Sequence, residues 1–175
     1  HTIKTFRTVI PKTKISVFFV DCPYYYDRDD IYTSDRDEDE RFILFNRAVL
    51  EIMQRLKWAP DLIHCHDWQA GLIPFYIKEN YAWDKLFKNT KTIFTIHNIG
   101  YQGLFPMESA EKAEIHKGYT EPMGPCEFYG KFSFLKTAVC FADKLTTVSE
   151  TYAREILTEE MGGGQSRHPN HALRH

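Results

Sequence analysis

At three points in the chain, polar and titratable side chains stand where a strand gives way to the next turn or helix. The densest is Asp61-Leu62-Ile63-His64-Cys65-His66-Asp67-Trp68-Gln69-Ala70-Gly71. Leu62 to Cys65 is a short apolar run after Pro60, the length of one buried strand, and the residues from Ala70 read as a helix. His64, His66 and Asp67 therefore crowd the carboxyl end of a strand, where open α/β sheets bind their ligands. Thr92-Ile93-Phe94-Thr95-Ile96 repeats the arrangement, with His97 and Asn98 at its carboxyl end and Gly100-Tyr101-Gln102-Gly103 beyond. A third strand, Lys144 to Val148, ends at Ser149. Together these polar lips predict one composite site.

Several chemistries are open to these residues. His64 and His66 are two apart, so on a strand they share a face. Such a pair can ligate a metal, but a dedicated site needs three or four ligands, and only Asp67 and His97 offer themselves as others. A hydrogen-bonded core role for His64 is the plainer expectation. Asp67 can cap the following helix, or its carboxylate can accept hydrogen bonds from a polyhydroxylated ligand, with Trp68 beside it as an apolar face for a sugar ring. His97-Asn98 repeats that pattern, and Gly100 and Gly103 suit a backbone that approaches a ligand closely. Ser149 is most simply an N-cap. The chain has no Gly-x-Gly-x-x-Gly, no Walker loop and no Gly-x-Ser-x-Gly elbow, which argues against a self-contained nucleotide fingerprint or a serine hydrolase.

The elements that must position these residues are legible in outline. Thr5 to Ile10 and Ile15 to Val20, joined by Pro11-Lys12-Thr13, predict a hairpin whose second strand is covered on both faces. Asp27 to Arg41 is dense in Asp and Arg and reads as a solvated loop, its acidic end serving the amino terminus of the next helix. In that helix Phe42, Phe45, Val49, Ile52 and Leu56 recur at helical spacing, which predicts that they face the sheet until Pro60 stops the helix. The central strand at Leu62, a helix over about Ala70 to Asn80 and the strand at Thr92 form one βαβ unit. A long irregular stretch, Phe105 to Pro125, carries a weak helix signal around Glu108 to Ile115. Phe132, Leu135, Val139 and Ala142 then mark a helix that leads into the strand at Lys144. The expected class is α/β with a Rossmann-like parallel sheet.

Composition narrows the function. The 175 residues suit one domain, and 43% hydrophobic with 26% charged residues is ordinary for a globular protein. A net charge of -2 argues against a nucleic-acid partner. No apolar run has the roughly 18 to 20 residues of a membrane span, and no signal-peptide pattern opens the chain. Cys22, Cys65, Cys126 and Cys140 are widely spaced, with no Cys-x-x-Cys pair, which predicts free thiols and a cytosolic protein.

Five ordered motifs resemble the bacterial glycogen synthase and plant starch synthase family: His64 to Gly71, Phe94 to Gly103, Ser133-Phe134-Leu135-Lys136, Ala142 to Ser149, and Tyr152 to Ile156. Tyr26-Asp27-Arg28 and Glu40-Arg41-Phe42 resemble two further family segments. The resemblance implies the amino-terminal half of a two-domain GT-B glucosyltransferase, retaining in stereochemistry. Such enzymes move glucose from ADP-glucose, or UDP-glucose in some, to the non-reducing end of an α-1,4-glucan. By motif match, His97 resembles the active-site histidine and Asp67 the carboxylate that lines the sugar site. Asn98, Tyr101 and Gln102 share the matched loop, Tyr26 resembles an acceptor-side residue, and Trp68 lies beside Asp67. No cofactor and no metal are implied. Residues 1–161 are expected to be a partial acceptor-side domain, and residues 162–175 a divergent Gly- and His-rich tail. The family's Lys-x-Gly-Gly-Leu phosphate loop and its carboxy-terminal nucleotide-binding domain are not in this sequence, so the chain on its own is expected to transfer no glucose. Two rivals remain open at this point: a metal-dependent hydrolase using His64, His66, Asp67 and His97, and a non-catalytic glucan-binding module.

Overall fold

The computed structural model describes residues 2–158; the tail from 162 onward lies outside them. β1 (Lys4–Val9) and β2 (Ser16–Asp21) form an antiparallel ribbon in which Phe6 faces Phe19. Its turn holds Lys12 at φ 63°, and the Thr13 hydroxyl donates to the Ile10 carbonyl at 2.9 Å. β2 is half-buried rather than covered on both faces, because among the described residues its one strand partner is the exposed β1. A short helix, α1 (Pro23–Tyr26), comes next, with proline at its start.

The acidic run beyond it is exposed over most of its length, as expected, and is also tied to itself. The Arg28 guanidinium forks onto Asp37 at 2.8 and 2.6 Å and reaches Asp35 at 2.8 Å. Glu38 takes both the Thr33 hydroxyl and Arg41, and Arg41 also donates to the Ile31 carbonyl. Interleaved opposite charges cross-link here instead of repelling.

α2 (Glu38–Leu56) opens on three acidic residues, Glu38, Asp39 and Glu40, which suits the positive end of its dipole. Its buried stripe is Ile43, Asn46, Leu50 and Met53, not the Phe42, Phe45, Val49, Ile52 and Leu56 face that the spacing predicts. The two stripes differ by one residue, about 100° of helix rotation. The helix ends at Lys57 in the left-handed conformation, three residues before Pro60. Asn46 explains the roll. Its amide nitrogen donates to the carbonyls of Phe42 and Gln69, both at 2.7 Å. Its oxygen accepts the amides of Leu72 and Ile73 at 3.0 and 3.1 Å. A fully buried side chain whose donors and acceptor are all engaged can sit where apolar patterning forbids one.

β3 (Leu62–His66), β4 (Lys91–Ile96) and β8 (Lys144–Thr147) form a parallel sheet in the order β3-β4-β8. β4 is therefore the central strand, not β3. On β3, Ile63 and Cys65 face the core while Leu62, His64 and His66 are exposed, so this strand is covered on one face only. One 3-10 turn, Trp68–Ala70, precedes α3 (Ile73–Lys78), which is shorter than the helix expected there. The connection from β3 through α3 to β4 is the predicted βαβ unit.

The irregular stretch contains α4 (Glu108–Lys112) and is flanked by β5 (Leu104–Phe105) on one side and by β6 (Glu127–Phe128) and β7 (Lys131–Ser133) on the other. The three strands pair antiparallel in the order β5-β7-β6. α5 (Phe134–Phe141) begins at Ser133, whose hydroxyl caps the Lys136 amide, and its first two amides donate to the carbonyls of Gly103 and Gln102. α6 (Glu150–Glu155) is capped by Ser149, as its sequence predicts. Cys22, Cys65 and Cys126 are buried, Cys140 is partly so, and all four are free thiols.

Candidate active site

Asp67 stands in the turn after β3, at φ 56° and ψ 177°, a region that residues other than glycine rarely occupy. Its amide donates to the Thr95 carbonyl at 3.0 Å, which extends the β3–β4 ladder by one bond. Its Oδ1 accepts the His97 amide at 2.8 Å. The side chain makes no cap bond to the adjoining turn, so of the two roles open to it capping is set aside. The strained turn aims the carboxylate across to the tip of β4 instead of along its own chain.

Beside it lie three imidazoles. His64 Nε2 meets the Thr95 hydroxyl at 2.6 Å, and that hydroxyl meets Thr146 on β8 at 2.6 Å. The His64 and His66 rings stack with centroids 4.2 Å apart, and His66 Nδ1 meets His97 Nε2 at 3.0 Å. His64 is thus hydrogen-bonded as expected, but on the exposed face of β3 rather than in the core. Loss of water first, then the His64 and His97 rings, hold His66 below the ordinary imidazole range, with Asp67 pulling the other way. One nitrogen of each ring is engaged, on a threonine for His64 and on each other for His66 and His97. Among the described residues no three His, Cys, Asp or Glu side chains are grouped to hold a metal ion, so the hydrolase reading has no ligand set here.

A cleft of about 890 Å³ opens alongside, within the range of small-molecule sites. Asp67, Asn98, Tyr101 and Gln102 line it, together with Tyr32, Thr33, Glu38 and Gln69. Asn98 Oδ1 accepts the Gly100 amide at 2.9 Å, which sets the turn, and Tyr101 is 70% exposed at the mouth. Trp68 forms the floor. It is 92% buried, with Phe42, Phe105 and Phe134 rings 4.5, 5.7 and 5.8 Å from its own. Gly103, at φ +58°, is required by that indole, since a Cβ there would stand 2.5 Å from Trp68 Cε3. The close approach at Gly103 is to the indole, and the residue also lines the cleft.

Tyr26 is not among the residues lining the cleft. Its hydroxyl donates to the Arg41 carbonyl at 3.0 Å, and burial pushes it up to about 12. Tyr32 and Gln69, which sequence reasoning passes over, bridge the cleft through a 2.7 Å bond from Gln69 Nε2 to the Tyr32 hydroxyl. The signal for Gln69 was its place next to Trp68; nothing local marks Tyr32.

The model of the starch synthase catalytic domain matches residues 2–169. The glycogen synthase of Desulforudis audaxviator is 51% identical over 148 residues, which cover 85% of this chain and 29% of that protein. The glycogen synthase of Pseudothermotoga lettingae is 42% identical over 157 residues, covering 90% of this chain and 32% of that one. The catalytic domain of starch synthase IV from Arabidopsis thaliana, solved bound to ADP and acarbose, superposes with a TM-score of 0.81 at 28% identity. The match covers 94% of this chain and 34% of that one, so the chain spans about a third of the proteins it resembles. That structure is a GT-B glycosyltransferase, and the α/β unit around β3, β4 and β8 shares its fold. With residues 2–169 matched, more than nine-tenths of its length, the chain belongs to the starch synthase catalytic domain family.

Proposed function

We propose that residues 1–161 form the acceptor-side part of a retaining glucosyltransferase. The enzyme transfers glucose from ADP-glucose, with UDP-glucose the variant donor, to the non-reducing end of an α-1,4-glucan. The observation that carries the reading is the cleft at the ends of β3 and β4, where Asp67 and the Asn98–Gln102 loop present polar groups above an indole floor. A neutral, hydroxyl-rich ligand suits that lining better than a charged one. The cytoplasm is the setting we infer, where free thiols such as these four persist.

In such a transfer positive charge builds on the anomeric carbon and negative charge on the departing diphosphate. Catalysis therefore rests on groups already in place when the charge appears. His97 is placed from two sides, its amide by Asp67 and its ring by His66. In this reading its ring and main chain meet the donor glucose, Asp67 Oδ2 accepts from sugar hydroxyls, and Asn98, Tyr101 and Gln102 border the same sugar. Tyr26 acts at most through the Arg41 segment, on the acceptor side. A carboxy-terminal nucleotide-binding domain supplies the groups that hold the donor diphosphate.

The test is a chimera in which residues 2–158 replace the matching segment of the D. audaxviator enzyme, assayed with radiolabelled ADP-glucose and glycogen. We expect label in the polymer, and we expect His97→Ala to lower kcat about 10²-fold or more with a much smaller change in KM. An active chimera indifferent to His97→Ala would assign that histidine to structure alone.

A further inference from the structure

His66 stands next to the site, yet the chemistry proposed above gives it no contact with substrate. On β3 it occupies the exposed face together with His64. Its Nδ1 lies 3.0 Å from His97 Nε2, and its ring is backed by the His64 imidazole at 4.2 Å, tilted by 35°. His64 is itself fixed, through Nε2, to Thr95 Oγ1, which touches Thr146 Oγ1. A continuous path of contacts thus runs from β8 across β4 to β3, then returns through the stacked rings to the tip of β4. Its last member is the His97 ring.

We propose that His66 is a positioning residue for His97, holding its imidazole by Nε2 so that Nδ1 alone is left to meet the donor sugar. This rests on the glucosyltransferase reading. An imidazole on a strand tip has two free torsions and two nitrogens able to bond. The Asp67 carboxylate fixes the His97 main chain through the amide but leaves the ring free to turn. The bond from His66 removes that freedom, and it also selects a tautomer, because one of the two facing nitrogens must carry the proton and the other must not. The charged and titratable groups facing His66 are His64 on its own strand, His97 at the end of β4 and Asp67 in the turn. Loss of water first, then two rings against one carboxylate, favour a neutral His66, which can meet the facing nitrogen as donor or as acceptor.

The arrangement predicts a dependence on atom position rather than on bulk. Asn places an amide atom near the locus of the imidazole Nδ1, whereas Gln places it near Nε2. In the chimera, His66→Ala should lower kcat between about 10- and 100-fold, the loss expected from a misplaced catalytic group. KM should stay within about threefold, because the contact being disturbed is made mainly in the transition state. His66→Asn should recover most of that loss and His66→Gln little of it. Equal kcat for His66→Ala and the parent overturns the proposal, as does a Gln variant that matches the Asn one.

A second measurement does not depend on activity. Nitrogen-15 correlations of the histidine rings in the 175-residue chain should show His97 in one tautomer, and should show an averaged pair of tautomers in His66→Ala. An unchanged His97 ring in that variant overturns positioning even where rates fall. If the parent chimera is inactive while the ring signals respond as expected, the glucosyltransferase reading or the graft has failed and the positioning has not.

Discussion

Asp67 holds a backbone conformation that glycine adopts readily and other residues resist, and strain of this kind costs about 1–3 kcal/mol. It also accepts the His97 amide, a hydrogen bond to a charged group worth roughly 1.5–3 kcal/mol. A pair of variants separates the two. Asp67→Ala keeps the strain and loses the bond; Asp67→Gly loses both. We expect the glycine variant to be more stable than the alanine one by about 1–3 kcal/mol in urea unfolding; equal stability would mean that the turn relaxes when the carboxylate leaves. Asp67→Asn keeps an acceptor for the His97 amide and carries the same backbone strain as Asp, so its melting temperature should stay within a few degrees of the parent's. Its activity in the chimera should nonetheless fall about 10- to 100-fold, through loss of the charged acceptor for sugar hydroxyls. A stable and fully active Asn variant would leave the carboxylate a purely structural role. That Asp67 would stand at the strand end was legible from the sequence around it. That it grips the next strand rather than its own helix was not, because the partner lies 30 residues away.

Among the elements, the loop after β4 is held more firmly than its Gly-x-x-Gly composition suggests. Its carbonyls at Gln102 and Gly103 accept the first amides of α5, and Gly103 lies against the Trp68 ring. The cleft wall is therefore built into the packing of β5, β7 and α5 and is not a lid. Gly103→Ala should cost about 1–3 kcal/mol from backbone conformation alone. It should also move Trp68, which would appear as a shift in tryptophan emission alongside the lowered melting temperature; an unshifted emission would show that the indole accommodates the methyl. The βαβ unit, the hairpin and the Ser149 cap were legible because each depends on residues within one short window. The roll of α2 was not. A single polar residue, Asn46, outweighs five apolar ones by satisfying four backbone groups at once, and no periodicity contains that information. Tyr32 was hidden for a similar reason, since it reaches the cleft across 37 residues through Gln69.

Across the whole molecule, the sheet and the helices over it are tied by Asp143. Burial pushes its carboxyl up, but the Thr92 amide and hydroxyl, at 2.8 and 3.0 Å, and the Lys78 ammonium at 3.3 Å outweigh burial and hold it below the usual carboxylate range. A depressed value means stability that is fully present above the unfolded carboxyl value of about 3.9 and is lost as pH falls through the folded one. Unfolding tracked from pH 6 down to 2 should therefore lose part of its free energy below about pH 4, and Asp143→Asn should flatten that part of the curve. An unchanged acid limb in the variant would place the linkage in other carboxylates. Asn46 carries a consequence of another kind. It receives the Leu72 and Ile73 amides and donates to the Gln69 carbonyl, so the segment just after the site's turn is riveted to the neighbouring helix α2. Breathing of that turn then requires α2 to lift, and the Leu72 and Ile73 amide protons should exchange with deuterium as slowly as those at the centre of β4. The cleft inherits the lifetime of the core, and a ligand meets a surface already set.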